Sequence, residues 1–220
     1  MHPVLRLYED VLSSAETTEF NLPPLPRFIF VVHGAATIGG KAVNEGEAWQ
    51  GEGAATVRPG AGGVTCWRWE LVRGDQGSTV ASAPGMMSHE KLTAFLETLP
   101  KGDLLMRGDS VAFPPGGCAY LHRHQGPGIR CLIEGGIRID THPRSTSYGP
   151  GGAWYETGPD PVFAQAAGDR PSRFIRVMIL PRGLIGKSSI QYVDEADKAK
   201  PKSQQYKIYV DAPITFGARR

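Results

Sequence analysis

Long apolar runs are missing from this 220-residue chain: no segment approaches the 18 residues that would cross a bilayer as a helix. The first ten residues, Met1 to Asp10, lack the apolar core of a signal peptide, so a soluble cytoplasmic protein is expected. Cysteine is scarce. Cys66, Cys118 and Cys131 form an odd set without Cys-x-x-Cys spacing, which argues against a disulfide framework or a thiolate zinc site. Net charge is also small, at +2, and no basic stripe with interleaved aromatics is present, so neither nucleic acid nor a membrane is an expected partner. Glycine (28) and proline (18) are abundant, which suits many short strands joined by turns.

One stretch concentrates the chemistry: Gly116-Gly117-Cys118-Ala119-Tyr120-Leu121-His122-Arg123-His124, a turn at Gly126-Pro127-Gly128, then the apolar run Ile129 to Ile133 and Glu134-Gly135. Strand side chains alternate with period two, so His122 and His124 project from one face and aim two imidazoles into whatever the sheet encloses. Such pairs begin many transition-metal sites. The same alternation puts Tyr120 in phase with the histidines. It turns Gly128, Arg130 and Leu132 inward from the next strand. Arg130 is then either a clamp for a carboxylate or enolate oxygen or the ion-pair partner of a nearby acid. Gly128, without a side chain, would leave room for a ligand.

This frame resembles the first motif of the cupin superfamily, G(X)5HXH(X)3-4E(X)6G, at Gly116, His122, His124 and Gly135. The motif's glutamate falls on Gly128 or Ile129, which cannot bind metal. The second motif resembles Gly151-Gly152-Ala153-Trp154-Tyr155-Glu156-Thr157-Gly158-Pro159, but its histidine falls on Val162. Trp154 and Glu156 share a strand face. Glu156 is the candidate third ligand, completing a His122, His124, Glu156 set, or else a carboxylate paired with an arginine or capping the turn. Trp154 would wall the pocket.

The first half echoes the second. Val32-His33-Gly34 answers Ile133-Glu134-Gly135, Glu47-Ala48-Trp49 answers Gly152-Ala153-Trp154, and Thr65 to Val72 answers Arg173 to Leu180. A repeat of this size indicates a duplicated domain. The expected architecture is all-β: two cupin-like antiparallel barrels (jelly rolls), a bicupin. Residues 1–86 form a degenerate barrel with no H-x-H pair, and 101–220 form a metal-binding one. Residues 87–100 read as a linking amphipathic helix, because Leu92, Phe95, Leu96 and Leu99 keep helical spacing between Ser88 and Pro100. In the strand Val64 to Val72, the set Thr65, Trp67, Trp69 and Leu71 reads as the core face. Asp194 to Lys202 reads as a solvated loop.

The resemblance implies one divalent metal, Fe2+ first and Mn2+, Ni2+ or Zn2+ next, with a small organic substrate and a homodimer. It favours a metal-dependent, dioxygenase-type oxidoreductase in which Arg130 and Tyr120 assist catalysis. The alternatives are a non-catalytic small-molecule-binding or sensor cupin, and a metal-free, sugar epimerase-like cupin.

Overall fold

The structure, a computed structural model, describes residues 2–13, 19–74 and 82–216. The chain divides into two compact units, Met1–Phe95 with Ile214–Arg220, and Leu96–Pro213.

The first unit carries β1 (Pro3–Leu12), β2 (Phe20–Leu22), β3 (Arg27–Ile38), β4 (Lys41–Asn44), β5 (Ala48–Gly51), β6 (Ala55–Arg73), β7 (Ser82–Ala83) and β8 (Met86–Phe95). They form one eight-stranded sheet in the order β4-β3-β6-β1-β8-β7, with β2 on β6 and β5 on β3. β6 pairs with β2 near its start and with β1 near its end, so one strand serves both layers.

The second unit carries β9 (Leu104–Phe113), β10 (Cys118–His124), β11 (Gly128–Glu134), β12 (Ile137–Thr141), β13 (Arg144–Tyr148), β14 (Ala153–Glu156), β15 (Val162–Ala166), β16 (Ser172–Pro181), β17 (Ile190–Tyr192) and β18 (Gln205–Ile214). Two five-stranded sheets result, β13-β12-β15-β10-β17 and β14-β11-β16-β9-β18. Both contribute to one apolar cluster, with Val111, Leu132, Trp154 and Phe174 from one sheet and Ala119, Ile139, Val162 and Ala164 from the other. Two antiparallel sheets closed on a shared core make a jelly roll.

The two units follow the same path. The order β5-β3-β6-β1-β8 in the first matches β14-β11-β16-β9-β18 in the second. Register makes the match specific. Ile29 lies opposite Trp49 and Arg68, as Arg130 lies opposite Trp154 and Arg176. The echo seen in the sequence is therefore a strand-by-strand repeat of sheet order.

One expectation fails, and another covers only one face of a strand buried on both. Residues 87–95 are not a helix: they belong to β8, which pairs with β1 from Val4↔Phe95 to Leu12↔Met86. The helical spacing of Leu92, Phe95 and Leu96 loses to the open edge of β1, whose backbone groups need partners. Ser88, which suited a helix cap, instead donates to Asp10 Oδ1 at 2.5 Å. The reading of β6 is incomplete: Trp67, Trp69 and Leu71 are buried as expected, but so is the opposite face, which places Val64 and Cys66 in an enclosed apolar cluster. The same face carries Arg68 and Glu70, fully buried, with Arg68 bound to Asp10 at 2.6 Å and to Glu70 at 2.9 Å, and Arg27 to Glu70 at 3.0 Å. Two arginines and two acids neutralise one another inside the barrel, so its polar face points inward.

Candidate metal centre and its surroundings

The chamber at the heart of the second unit has a volume of about 20 Å3. That is room for one water molecule or one ion. His122 and His124, both 5% exposed, enter it from β10. Their Nε2 atoms stand 3.2 Å apart. His122 Nδ1 lies 2.7 Å from the Tyr120 carbonyl. A carbonyl only accepts, so Nδ1 carries the proton and Nε2 presents its lone pair to the chamber. His124 Nδ1 lies 3.3 Å from Ser189 Oγ, which either donates to it or accepts from it.

Glu156 reaches the chamber from β14. Trp154 Nε1 donates to its Oε1 at 2.9 Å, which fixes the carboxylate's rotation. Its Oε2 lies 3.5 Å from His124 Nε2 and 2.7 Å from Arg130 Nη2. The contact with Arg130 is one of charge, not a formed hydrogen bond: both atoms are buried and neither has a hydrogen-bond partner. Arg130 Nη1 donates to Gly128 O at 2.7 Å. Of the two roles open to Arg130, the ion pair with Glu156 is the one present.

Burial pushes both histidines below their ordinary value of 6.5, His124 the further, with Arg130 and Arg176 adding to the shift there. Both are therefore neutral at pH 7, the form in which imidazole binds metal. Burial also lowers Arg130, to about 10, which leaves it charged. The sign of the pH dependence follows. Below about 6.5 the unfolded chain takes up protons on these histidines while the folded chain resists, so stability is full above that value and falls as pH drops through it. Chemical denaturation of metal-free protein between pH 7.5 and 5 should show this fall, and His122→Ala with His124→Ala should flatten it.

Several sequence-based assignments need correction. Tyr120 does not line the chamber. The pairing of β10 with β15 shifts between Ala119 and His122, so Ala119 faces inward. The Tyr120 ring instead lies under the ammonium groups of Lys200 and Lys202. Gly128 leaves no space for a ligand, because a Cβ there would stand 2.3 Å from Val177 O. Its missing side chain serves the close approach of β16. Leu132 and Trp154 belong to the apolar core, and Trp154 touches the site only through its bond to Glu156. Asp194 to Lys202 is more than a solvated loop: Asp197 is buried, and the Lys202 ammonium binds the carbonyls of Asp197, Lys198 and Lys200.

Ser189 and Arg176 escaped the sequence reading. Arg176 is 5% exposed and bidentate to Asp109, at 2.9 and 2.6 Å. Its in-phase place in β16 and its match with Arg68 were the available signal.

The donor set suits a metal by spacing. At metal–nitrogen lengths of about 2.0–2.1 Å, neighbouring ligand atoms stand roughly 2.9–3.4 Å apart, and the two imidazole nitrogens are within that range. The set is not closed, however. Among the described residues, no three His, Cys, Asp or Glu side chains are arranged to hold an ion. The Glu156 carboxylate is instead paired with Arg130 at 2.7 Å.

In the first unit, register places Gly51 opposite Arg27 as Glu156 lies opposite Gly128, and Ile29 where Arg130 stands. Phe20 and Leu22, buried on β2, occupy the strand that follows β1 as β10 follows β9. His33 is exposed within β3, beside a register shift, with its Nδ1 3.8 Å from Glu45 Oε2.

No protein-family model matches this sequence, and no curated protein does. Solved structures do. The formate complex of oxalate decarboxylase from Lactobacillus farciminis superposes with a TM-score of 0.63 over 91% of this chain and 82% of that one, at 13% identity. An oxalate decarboxylase mutant from Bacillus subtilis gives 0.60 over 89% and 73%, also at 13% identity. The chain shares the fold of these decarboxylases. The all-β jelly roll expected for this chain is thus present. No helix among the described residues is long and apolar enough to cross a membrane.

Proposed function

We propose that the second unit is the metal site of a cupin-type enzyme acting on a small organic molecule, with His122, His124 and Glu156 as ligands of one divalent ion. The observation that carries this is the pair of imidazole Nε2 atoms 3.2 Å apart in a chamber sized for one ion, with a Glu156 carboxylate oxygen 3.5 Å from His124 Nε2. A cation there would draw on the His122 lone pair, fixed by the Nδ1–H bond to the Tyr120 carbonyl, and on a buried carboxylate that it would share with or take from Arg130. Bound iron would supply Lewis-acid polarisation and one-electron exchange with dioxygen. The protein's own part is to hold both imidazoles neutral, to fix Glu156 through Trp154, and to keep Arg130 as a buried cation beside the reacting region. A dioxygenase-type oxidation fits two histidines and one carboxylate with further positions open. Decarboxylation is the second reading, favoured by the likeness in fold to oxalate decarboxylases.

The same reading makes the first unit a barrel without a metal, because Gly51, Ile29, Phe20 and Leu22 offer no ligand at the corresponding places. Elemental analysis of protein purified without a histidine tag or added metal should find about one iron, manganese, nickel or zinc per chain. Oxygen uptake on adding candidate substrates then marks the oxidative reading, and carbon dioxide release without oxygen uptake marks decarboxylation. Metal far below one per chain, not restored by anaerobic iron(II), would sink the proposal.

A further inference from the structure

We infer that Ser189 is a positioning residue of the metal centre. Its hydroxyl donates to His124 Nδ1 while that ring keeps its proton on Nε2, and turns to accept from Nδ1–H when Nε2 takes up an ion. The inference rests on the metal site proposed above and goes beyond it by assigning a proton move to one ligand and a partner to that move.

The constraint begins at His122. Its Nδ1 lies 2.7 Å from the Tyr120 carbonyl, which fixes the proton there and leaves Nε2 bare. His124 Nε2 stands 3.2 Å from that bare nitrogen and 3.5 Å from Glu156 Oε2. Both neighbours only accept. A second bare nitrogen between them would set lone pair against lone pair in a buried chamber, which is costly. His124 Nε2 therefore carries the proton, and the neutral ring has a bare Nδ1. That nitrogen needs a donor, and Ser189 Oγ is 3.3 Å away.

Metal binding reverses each of these demands. Imidazole ligates through a lone pair, so the ring loses a proton at Nε2 and gains one at Nδ1, and stays neutral throughout. Nδ1–H then needs an acceptor. A hydroxyl has one donor and two acceptor lone pairs, so Ser189 can serve either tautomer if its own proton has a second place to go. Met178 Sδ is that place: it lies 3.8 Å from Ser189 Oγ, in line to accept from it, on a fully buried side chain. Only rotation is open to the hydroxyl. Ser189 is 3% exposed, its neighbour Ile190 pairs with His124, and Gln125 N donates to the Ser189 carbonyl at 3.2 Å. The bond is stronger in the loaded site, because an imidazole on a cation is polarised and its N–H becomes a charge-assisted donor. Removing the hydroxyl therefore harms metal binding more than it harms the free ring.

The probe is zinc, which is diamagnetic, added to the full chain and followed by imidazole nitrogen-15 NMR, which tells a protonated ring nitrogen from a bare one. Before zinc is added, His124 should carry its proton on Nε2 and His122 on Nδ1. With zinc bound, His124 should carry it on Nδ1, and His122 should be unchanged at Nδ1. Ser189→Ala should weaken zinc binding about 10–100-fold, the usual effect of losing such a partner, and Ser189→Thr, which keeps the hydroxyl, should restore most of it. Three results would overturn the role of Ser189 and leave the metal centre standing: a His124 proton already on Nδ1 before zinc, a Ser189→Ala variant that binds zinc as tightly as wild type, or equal losses in Ser189→Ala and Ser189→Thr. Zinc that leaves the signals of both histidines untouched would remove the metal centre and the role of Ser189 with it.

Discussion

His122→Ala combined with His124→Ala is expected to abolish divalent-metal binding without unfolding the chain. A four-ligand zinc site is worth about 10–16 kcal/mol, so two lost ligands correspond to an affinity drop on the order of 10^4-fold or more. The histidines sit on β10, whose backbone pairs with β15 and β17 without their side chains. Both are held neutral against desolvation, so the fold loses packing but no ion pair when they go. Elemental analysis together with far-ultraviolet circular dichroism reads both halves of the expectation. Stoichiometric metal in a folded double variant would place the ion elsewhere.

The second large effect belongs to Arg130. Its guanidinium and the Glu156 carboxylate are a buried pair at 2.7 Å, and removing one partner of such a pair costs about 3–5 kcal/mol. Arg130→Met should lower the melting temperature of metal-free protein by roughly 6–20 °C, taking 2–4 °C per kcal/mol for a chain of this size. Metal binding should move the opposite way, because Glu156 no longer has to leave the guanidinium in order to reach an ion. Added metal should then raise the variant's melting temperature by more than it raises the wild type's. Glu156→Ala supplies the contrast: it should weaken metal binding outright. If Arg130→Met loses metal as severely as Glu156→Ala, then Arg130 supports the carboxylate instead of competing for it.

These two experiments probe the part of the site that was legible from residues alone. Period-two alternation was enough to place His122, His124, Arg130 and Glu156 in one interior, because the ladders keep register from His122 to His124 and from Gly128 to Cys131. The same rule failed where register slips. Between Ala119 and His122 the ladder shifts, and Tyr120 turns outward as a result. The second buried face of β6 was missed for a related reason. Alternation separates polar from apolar faces, but it cannot say that a balanced cluster of Asp10, Arg27, Arg68 and Glu70 is the side turned in. The strand at Met86–Phe95 was hidden because its hydrophobic spacing is helical, and only the edge of β1 decides the matter. Ser189 carries no local pattern, and its contact with His124 arises from where the chain enters β17.

The repeat also differs between its copies in one respect with a mechanical meaning. β3 and β6 each run through both layers of the first unit as single strands, whereas their counterparts are parted, β11 from β12 and β15 from β16. In the first unit the two walls share backbone at both crossings, although the β3–β6 ladder itself jumps there from Gly34↔Val64 to Ala36↔Pro59. In the second they are joined by turns at residues 135–136 and 167–171. The imidazoles therefore stand on one hydrogen-bonded wall and Arg130 and Glu156 on the other, so the candidate metal centre is a joint between two separate sheets.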